Sequence, residues 1–181
     1  LKVTGGDLKG REIKTPKGMD TRPTSGITRE SIFNIIHDRI YDALVLDLYS
    51  GSGSFGIEAL SRGAGFCIFT ENSKNPIDCL RYNIKKFGLE EKSRILRKNL
   101  PGDIRTIISD KCFDLVFLDP PYSKDFVNKT LKELKSAPFI NDKTIIIAEH
   151  SKEEAPDSSF FNINDTRKYG KSLVSFLNSV I

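Results

Sequence analysis

The stretch ALVLDLYSGSGSFGIEALSRG, residues 43–63, decides the fold. It begins as an apolar run carrying one acid, Asp47, and breaks into glycine and serine. It resumes with apolar residues at helical spacing and closes at Gly63. That order reads as strand, tight loop, helix. Gly51, Gly53 and Gly56 stand in a G-x-G-x-x-G spacing at the join. Glu71 follows twenty residues after Gly51, at the end of the next apolar run, FCIFTE. Glycines in this place allow a bound nucleotide close to the backbone, and an acid there suits ribose hydroxyls. The context predicts a site for a nucleoside-containing cofactor over a purely structural glycine turn.

Asp47 bears on which cofactor. By strand alternation it lies on the same side of the chain as Tyr49. A carboxylate beside a dianionic pyrophosphate is repelled, whereas one beside a sulfonium and an ammonium is attracted. The loop therefore suits S-adenosylmethionine better than a nicotinamide dinucleotide. A hydrogen-bonded turn acid is the plainer alternative for Asp47.

Working outward, the same alternation of strand and helix continues. NPIDCLRYNIKKFG reads as a helix with Pro76 in its first turn and Gly88 past its end. RILRK and FDLVFLD read as strands, FVNKTLKELK as a helix and TIIIAE as a buried strand. The last segment, FFNINDTRKYGKSLVSFLNSVI, reads as two strands around a turn at Tyr169, Gly170 and Lys171. The sum is an α/β domain with a mainly parallel seven-stranded sheet, helices on both faces and an antiparallel edge hairpin. Upstream, residues 1–40 are polar and turn-rich, ending in ITRESIFNII, a helix that Thr24 or Ser25 is placed to cap. Residues 1–40 are read as an N-terminal extension of β-hairpin and helix, and residues 41–181 as the main domain.

In such sheets ligands bind beyond the carboxyl ends of the strands. FLDPPYS, residues 117–123, lies at one of those ends. Asp119 ends the strand. Pro120 and Pro121 remove two backbone donors and fix φ, so the loop presents acceptors. Tyr122 offers a flat face for stacking a base. An acceptor-only site beside an aromatic plate suits an exocyclic amino group on a nucleobase. Hydrogen bonds from its N–H groups would favour a pyramidal nitrogen whose lone pair is free to attack. The bland reading of Asp-Pro is a strand terminator.

The bulk numbers bound the rest. The chain has 181 residues, 38% hydrophobic and 29% charged, enough for one packed domain. Cys67, Cys79 and Cys112 show no metal-ligand spacing, so the expectation is no metal and reduced cysteines. No leader pattern or membrane-length apolar run is evident, and a cytoplasmic location is expected. Net charge is +4. From Arg81 to Lys98 seven basic residues stand against Glu90 and Glu91, and the first 40 residues hold eight basic and five acidic side chains. A solvated charged face and a polyanion partner both remain open.

DPPY after a strand, with the acid-containing glycine loop, resembles the amino-methyltransferase signature of class I S-adenosylmethionine enzymes. The leader GGDLKGREIKTPKG with TRPTSGITRESIFNII, the blocks VLDLYSGSGSFGIEALSRGA and FDLVFLDPPY, and the terminal KYGKSLVSF are similar to the bacterial RsmD family. The similarity spans nearly the whole chain. It implies a Rossmann-like class I methyltransferase fold and transfer of methyl to N2 of one guanine in 16S ribosomal RNA, naked or within a 30S particle. It implies that Asp47, Gly51, Gly53 and Gly56 shape the methionine end of the cofactor site, that Glu71 with Asn72 holds the ribose, and that Asn99 with Leu100 reads the adenine. The resemblance also implies that Asp119, Pro120, Pro121 and Tyr122 form the catalytic loop. By the same resemblance Arg22 and Thr24 would lie near the target base, and Arg11, Lys14, Arg22, Arg29, Lys168 and Lys171 are candidates for RNA phosphates. Asn99, where an aspartate is possible, weakens the adenine assignment alone. The extension is then RNA-binding, and a monomer is expected.

Three other readings remain. A DNA adenine or cytosine amino-methyltransferase predicts a separate target-recognition domain, for which 181 residues leave no room. An NAD(P)-dependent oxidoreductase explains the glycines and Glu71, but neither Asp47 nor DPPY. An RNA-binding module with a vestigial site predicts decayed loop residues, and none is visible.

Overall fold

The computed structural model describes residues 1–16, 25–121 and 125–179. Its elements, in chain order, are α1 (Gly26–Ile35), β1 (Leu44–Leu48), α2 (Ser54–Ser61), β2 (Phe66–Glu71), α3 (Lys74–Phe87), β3 (Ser93–Arg97), β4 (Leu115–Leu118), α4 (Phe126–Lys135), β5 (Ile145–His150), β6 (Phe161–Tyr169) and β7 (Ser172–Ser179). The strands form one seven-stranded sheet in the order β3-β2-β1-β4-β5-β7-β6. Every expected strand and helix of the main domain is present, and the sheet is mainly parallel with an antiparallel hairpin at its edge. The chain divides into two compact units, Leu1–Arg97 and Lys98–Ile181.

In the first unit, β1 pairs in parallel with β2, and β2 with β3. Val45, Leu46 and Leu48 of β1 and Cys67 and Phe69 of β2 are fully buried, which explains their unbroken apolar runs. α3 ends where Gly88 turns left-handed at φ +68° and its N–H bonds back to the Lys85 carbonyl. α1 is capped by Ser25, whose hydroxyl accepts the Thr28 N–H at 3.1 Å. Thr24, the other candidate cap, lies outside the described residues, as do Arg22 and Tyr122.

Where a hairpin is expected, the described N-terminal residues pair through one antiparallel bridge, between Lys2 and Glu12. Glycines at 5, 6 and 10 curl the intervening chain, two of them with positive φ, and side chains do the work that strand pairing would do. The Thr4 N–H and hydroxyl both donate to the Glu58 carboxylate of α2, at 2.8 and 2.7 Å. Arg29 of α1 and Arg62 donate to the same carboxylate through Nε, at 3.2 and 2.9 Å, and Arg29 Nη2 reaches the Lys2 carbonyl. Burial alone would raise the Glu58 carboxyl. The hydrogen bonds from Thr4 and Arg62 and the charge of Arg29 outweigh it and hold the group below its ordinary range.

Arg29 therefore corrects an expectation. It was a candidate phosphate contact, yet its side chain is fully buried against Glu58. A guanidinium with no exposed surface and a carboxylate partner is committed to the fold.

In the second unit, β4 and β5 pair in parallel and β5, β7 and β6 run antiparallel, with a register irregularity between Ile163 and Asp165. His150 is buried in this ladder. Its two ring nitrogens lie 2.8 Å from the Ser151 carbonyl and from Ser175 Oγ, and Ser175 Oγ lies 2.8 Å from Thr166 Oγ1. No helix among the described residues is long and apolar enough to cross a membrane.

Candidate functional site

The loop after β1 is built by backbone geometry that few residues accept. Tyr49, Gly51 and Gly53 all have positive φ, at 56°, 54° and 86°. β1 stops at Leu48, so Tyr49 belongs to the turn, and the alternation that put it on the Asp47 face ends one residue early. A Cβ on Gly53 would come within 2.4 Å of Leu80 Cδ1 and 3.2 Å of Phe69, whereas a Cβ on Gly51 would meet nothing within 4 Å. Gly53 thus serves packing and conformation together, and Gly51 faces open space where a ligand can approach. Gly56 packs its Cα against Phe69 and Cys67, so any side chain there collides with the strand.

Two carboxylates hold this loop. Asp47 is buried and accepts the Gly56 N–H at 2.9 Å. Glu71 accepts the Gly51 N–H at 3.0 Å through one oxygen and the Asn72 and Ser73 N–H groups, each at 2.8 Å, through the other. Burial, opposed by the Gly56 hydrogen bond and assisted by Glu71, raises the Asp47 carboxyl from 3.8 to about 7. Burial, with the charge of Asp47 adding to it, pushes the neighbouring Cys67 thiol up, so it stays protonated.

The shift at Asp47 has a definite sign. The folded state keeps a proton that the unfolded chain loses, so stability is full below pH 3.8 and is lost as pH rises to about 7. The loss amounts to roughly 4 kcal/mol at ~1.4 kcal/mol per pH unit. Asp47→Asn should remove this limb. Urea unfolding of both proteins at pH 4, 5.5 and 8 is expected to show the variant gaining on the wild type as pH rises, and parallel curves would contradict it.

Sequence reasoning did not single out Asn83 or Glu58. Asn83 of α3 is fully buried; it accepts the Lys14 N–H at 2.9 Å and donates to the carbonyls of Lys14, at 2.9 Å, and of Ser52, at 3.1 Å. One amide thereby ties the glycine loop to the N-terminal segment. Glu58 was the other, and its signal was readable: a lone acid inside the apolar face of a short helix.

Asn72 is exposed at the end of β2, and its carbonyl accepts Arg97 Nε at 3.1 Å. In the second unit, the Asn99 N–H donates to Asp103 at 2.7 Å and Leu100 is buried behind it. Asp119 follows the last residue of β4 and is half-buried, with Pro120 buried and Pro121 exposed. Beyond the loop, the Asp125 N–H donates to Glu154 at 2.7 Å, and Asn128 bonds the Ala155 carbonyl and the Asp157 N–H. Lys168 on β6 and Lys171 at the hairpin turn are exposed. Arg11 and Lys14 are exposed in the first unit. Among the described residues there is no cluster of three or more His, Cys, Asp or Glu arranged to hold a metal ion.

The sheet order, the antiparallel edge and the glycine loop after β1 define a Rossmann-like class I methyltransferase fold. The putative methyltransferase yhhF from Escherichia coli superposes with a TM-score of 0.86 at 24% identity, over 100% of this chain and 99% of that one. The family described as Conserved hypothetical protein 95 matches residues 1–178, and the chain belongs to it, the RsmD family its motifs resemble. The chain is 34% identical over 160 residues to the putative rRNA methyltransferase YlbH of Bacillus subtilis, covering 87% of each. It is 33% identical over 153 residues to ribosomal RNA small subunit methyltransferase D of Buchnera aphidicola, covering 84% of this chain and 79% of that one.

Proposed function

We propose that this protein is an S-adenosylmethionine-dependent methyltransferase that modifies N2 of a guanine in 16S ribosomal RNA. The observation that carries the cofactor assignment is the use of the loop's amides. Gly51 and Gly56 give their N–H groups to Glu71 and Asp47, so neither is left to donate to a ligand phosphate. Asp47, once ionised, would repel a pyrophosphate and favour a cation. That counts against the NAD(P) reading and fits a sulfonium cofactor.

Bound S-adenosylmethionine would supply an electrophilic methyl group on a sulfonium. The residues do the rest. Asp47, once ionised, and the open face of Gly51 would accommodate the methionine end. A carboxylate offers about four acceptor sites, and three N–H groups use three at Glu71, leaving one for a ribose hydroxyl. Asn72, Asn99 and Leu100 would border the nucleoside. Asp119 and the donor-free carbonyls of Pro120 and Pro121 would accept the N–H groups of the target amine and turn its lone pair outward. Tyr122 would stack the base. The proton released passes to Asp119 or to water.

The target rests on family membership and on the names of the relatives, which are ribosomal RNA methyltransferases. The first 40 residues would serve as an RNA-binding extension, with Arg11, Arg22 and Thr24 near the substrate and Lys168 and Lys171 as further phosphate contacts. The test is incubation with labelled S-adenosylmethionine and 16S RNA, 30S particles or duplex DNA. Label in 16S RNA, free or in the particle, is expected. Label in DNA alone, or nowhere, would overturn the reading.

A further inference from the structure

We propose that the outer face of α3 and the N-terminal segment beside it form a docking surface for RNA phosphates, built from cations seated on aromatic rings. The proposal rests on the RNA reading above and deepens it, extending the phosphate contacts expected of Arg11 and Lys14 onto α3. Its observation is how three exposed cations are held. The Lys14 ammonium sits 4.4 Å from the centre of the Tyr82 ring, and the Arg11 guanidinium sits 4.8 Å from that of Phe87. The Lys86 ammonium lies 5.5 Å from the same Phe87 ring and donates to the Glu12 carbonyl at 2.8 Å. Arg11 Nη2 in turn donates to the Lys86 carbonyl at 3.2 Å. Lys85 is exposed one residue away on α3.

The choice of partner matters. An exposed cation is ordinarily held by a carboxylate, which fixes it but cancels its charge, as Asp78 does for Arg81 at 3.7 Å. A ring fixes the cation through its quadrupole and leaves the full positive charge available. Among the described residues, Arg11, Lys14, Lys85 and Lys86 have no carboxylate within 4.0 Å. The C-terminal dipole of α3 accounts for part of the preference for Lys85 and Lys86, but not for Arg11 or Lys14, which belong to another segment. Their placement has a cause: Asn83 pins the Lys14 backbone to α3, and Glu12 is bonded through Lys86. The result is a row of ordered, uncancelled positive charges, the arrangement a phosphate backbone meets without first stripping away competing carboxylates.

The experiment measures binding of transcribed 16S RNA as a function of salt for wild type, R11Q/K14Q, Tyr82→Leu and Lys143→Gln, with S-adenosylmethionine affinity measured in parallel. Each phosphate contact contributes about 0.7–0.9 to the slope of log affinity against log salt. R11Q/K14Q should bind RNA roughly tenfold more weakly at moderate salt, with a slope about 1.5 shallower. Tyr82→Leu keeps the charge and loses the seat, so affinity should fall about threefold with the slope nearly unchanged. Lys143, exposed in the second unit, should be silent. Unchanged affinity and slope in R11Q/K14Q would overturn the proposal. So would an equal effect from Lys143→Gln, or a parallel loss of cofactor affinity, which would mark a fold defect. Failure of the wild type to label the RNA it binds would sink the functional reading while leaving this surface judged on the slopes.

Discussion

Asp119→Ala should reduce methyl transfer by about 10²–10³-fold while leaving S-adenosylmethionine affinity within about twofold. The physical reason is a division of labour. Asp47, Glu71 and the glycine loop lie in the first compact unit and hold each other through direct hydrogen bonds. None of those bonds uses Asp119. Its proposed task is confined to the target amine, whose lone pair is delocalised into the base until both N–H groups find acceptors. Removing one acceptor removes a stabilisation made chiefly as the nitrogen pyramidalises. The rate constant with saturating cofactor should fall. Asp119→Asn, similar in shape but without charge and with a donor facing the amine, should fare little better. Equal loss of rate and cofactor binding would recast Asp119 as a cofactor ligand.

The second large effect is on stability. Glu58→Ala should destabilise the protein by about 3–5 kcal/mol, the cost of breaking a buried ion pair from one side. Glu58 receives four donors from three places in the chain: the Thr4 N–H and hydroxyl, Arg29 Nε and Arg62 Nε. Without it the Arg29 guanidinium stays buried and unneutralised. Urea unfolding at pH 7 would read the loss as a drop in midpoint. The double replacement Arg29→Met with Glu58→Leu should recover much of it, because the buried charges leave together. The pH dependence has the opposite sign to that of Asp47. The folded Glu58 carboxyl lies below its ordinary range, so its contribution is present above the unfolded value of 4.5 and is lost as pH falls. A Glu58→Ala midpoint within error of wild type would contradict this account.

The fold was legible because its signals are local. β1, β2, β4 and β5 are apolar runs ended by turn residues, and Gly88 after α3 marks a stop that the left-handed backbone then honours. FVNKTLKELK carries its buried face at Val127, Thr130, Leu131 and Leu134, at the spacing a helix requires. The glycine loop was legible for the same reason, since its spacing encodes its geometry.

What stayed hidden depends on partners far apart in sequence. Nothing near Arg29 announces Glu58, 29 residues on, or Thr4, 54 residues from Glu58. A basic residue in a basic leader reads as surface until the fold closes over it. Asp47 was read as an acid offered to the cofactor; burial and the Gly56 bond give it a second task, which is to anchor the start of α2. Alternation failed at Tyr49 because a single left-handed residue ends the strand and rotates everything after it.

The proposed reaction puts the methyl group on an exocyclic guanine amine of ribosomal RNA. The most direct measurement is the identity of the methylated nucleoside. 16S RNA, free and in 30S particles, would be treated with the protein and S-adenosylmethionine, digested to nucleosides and resolved against standards by mass spectrometry. The account predicts N2-methylguanosine, gained with wild type and absent with Asp119→Ala. N6-methyladenosine, N4-methylcytosine or a ring-carbon methylation in its place would contradict it.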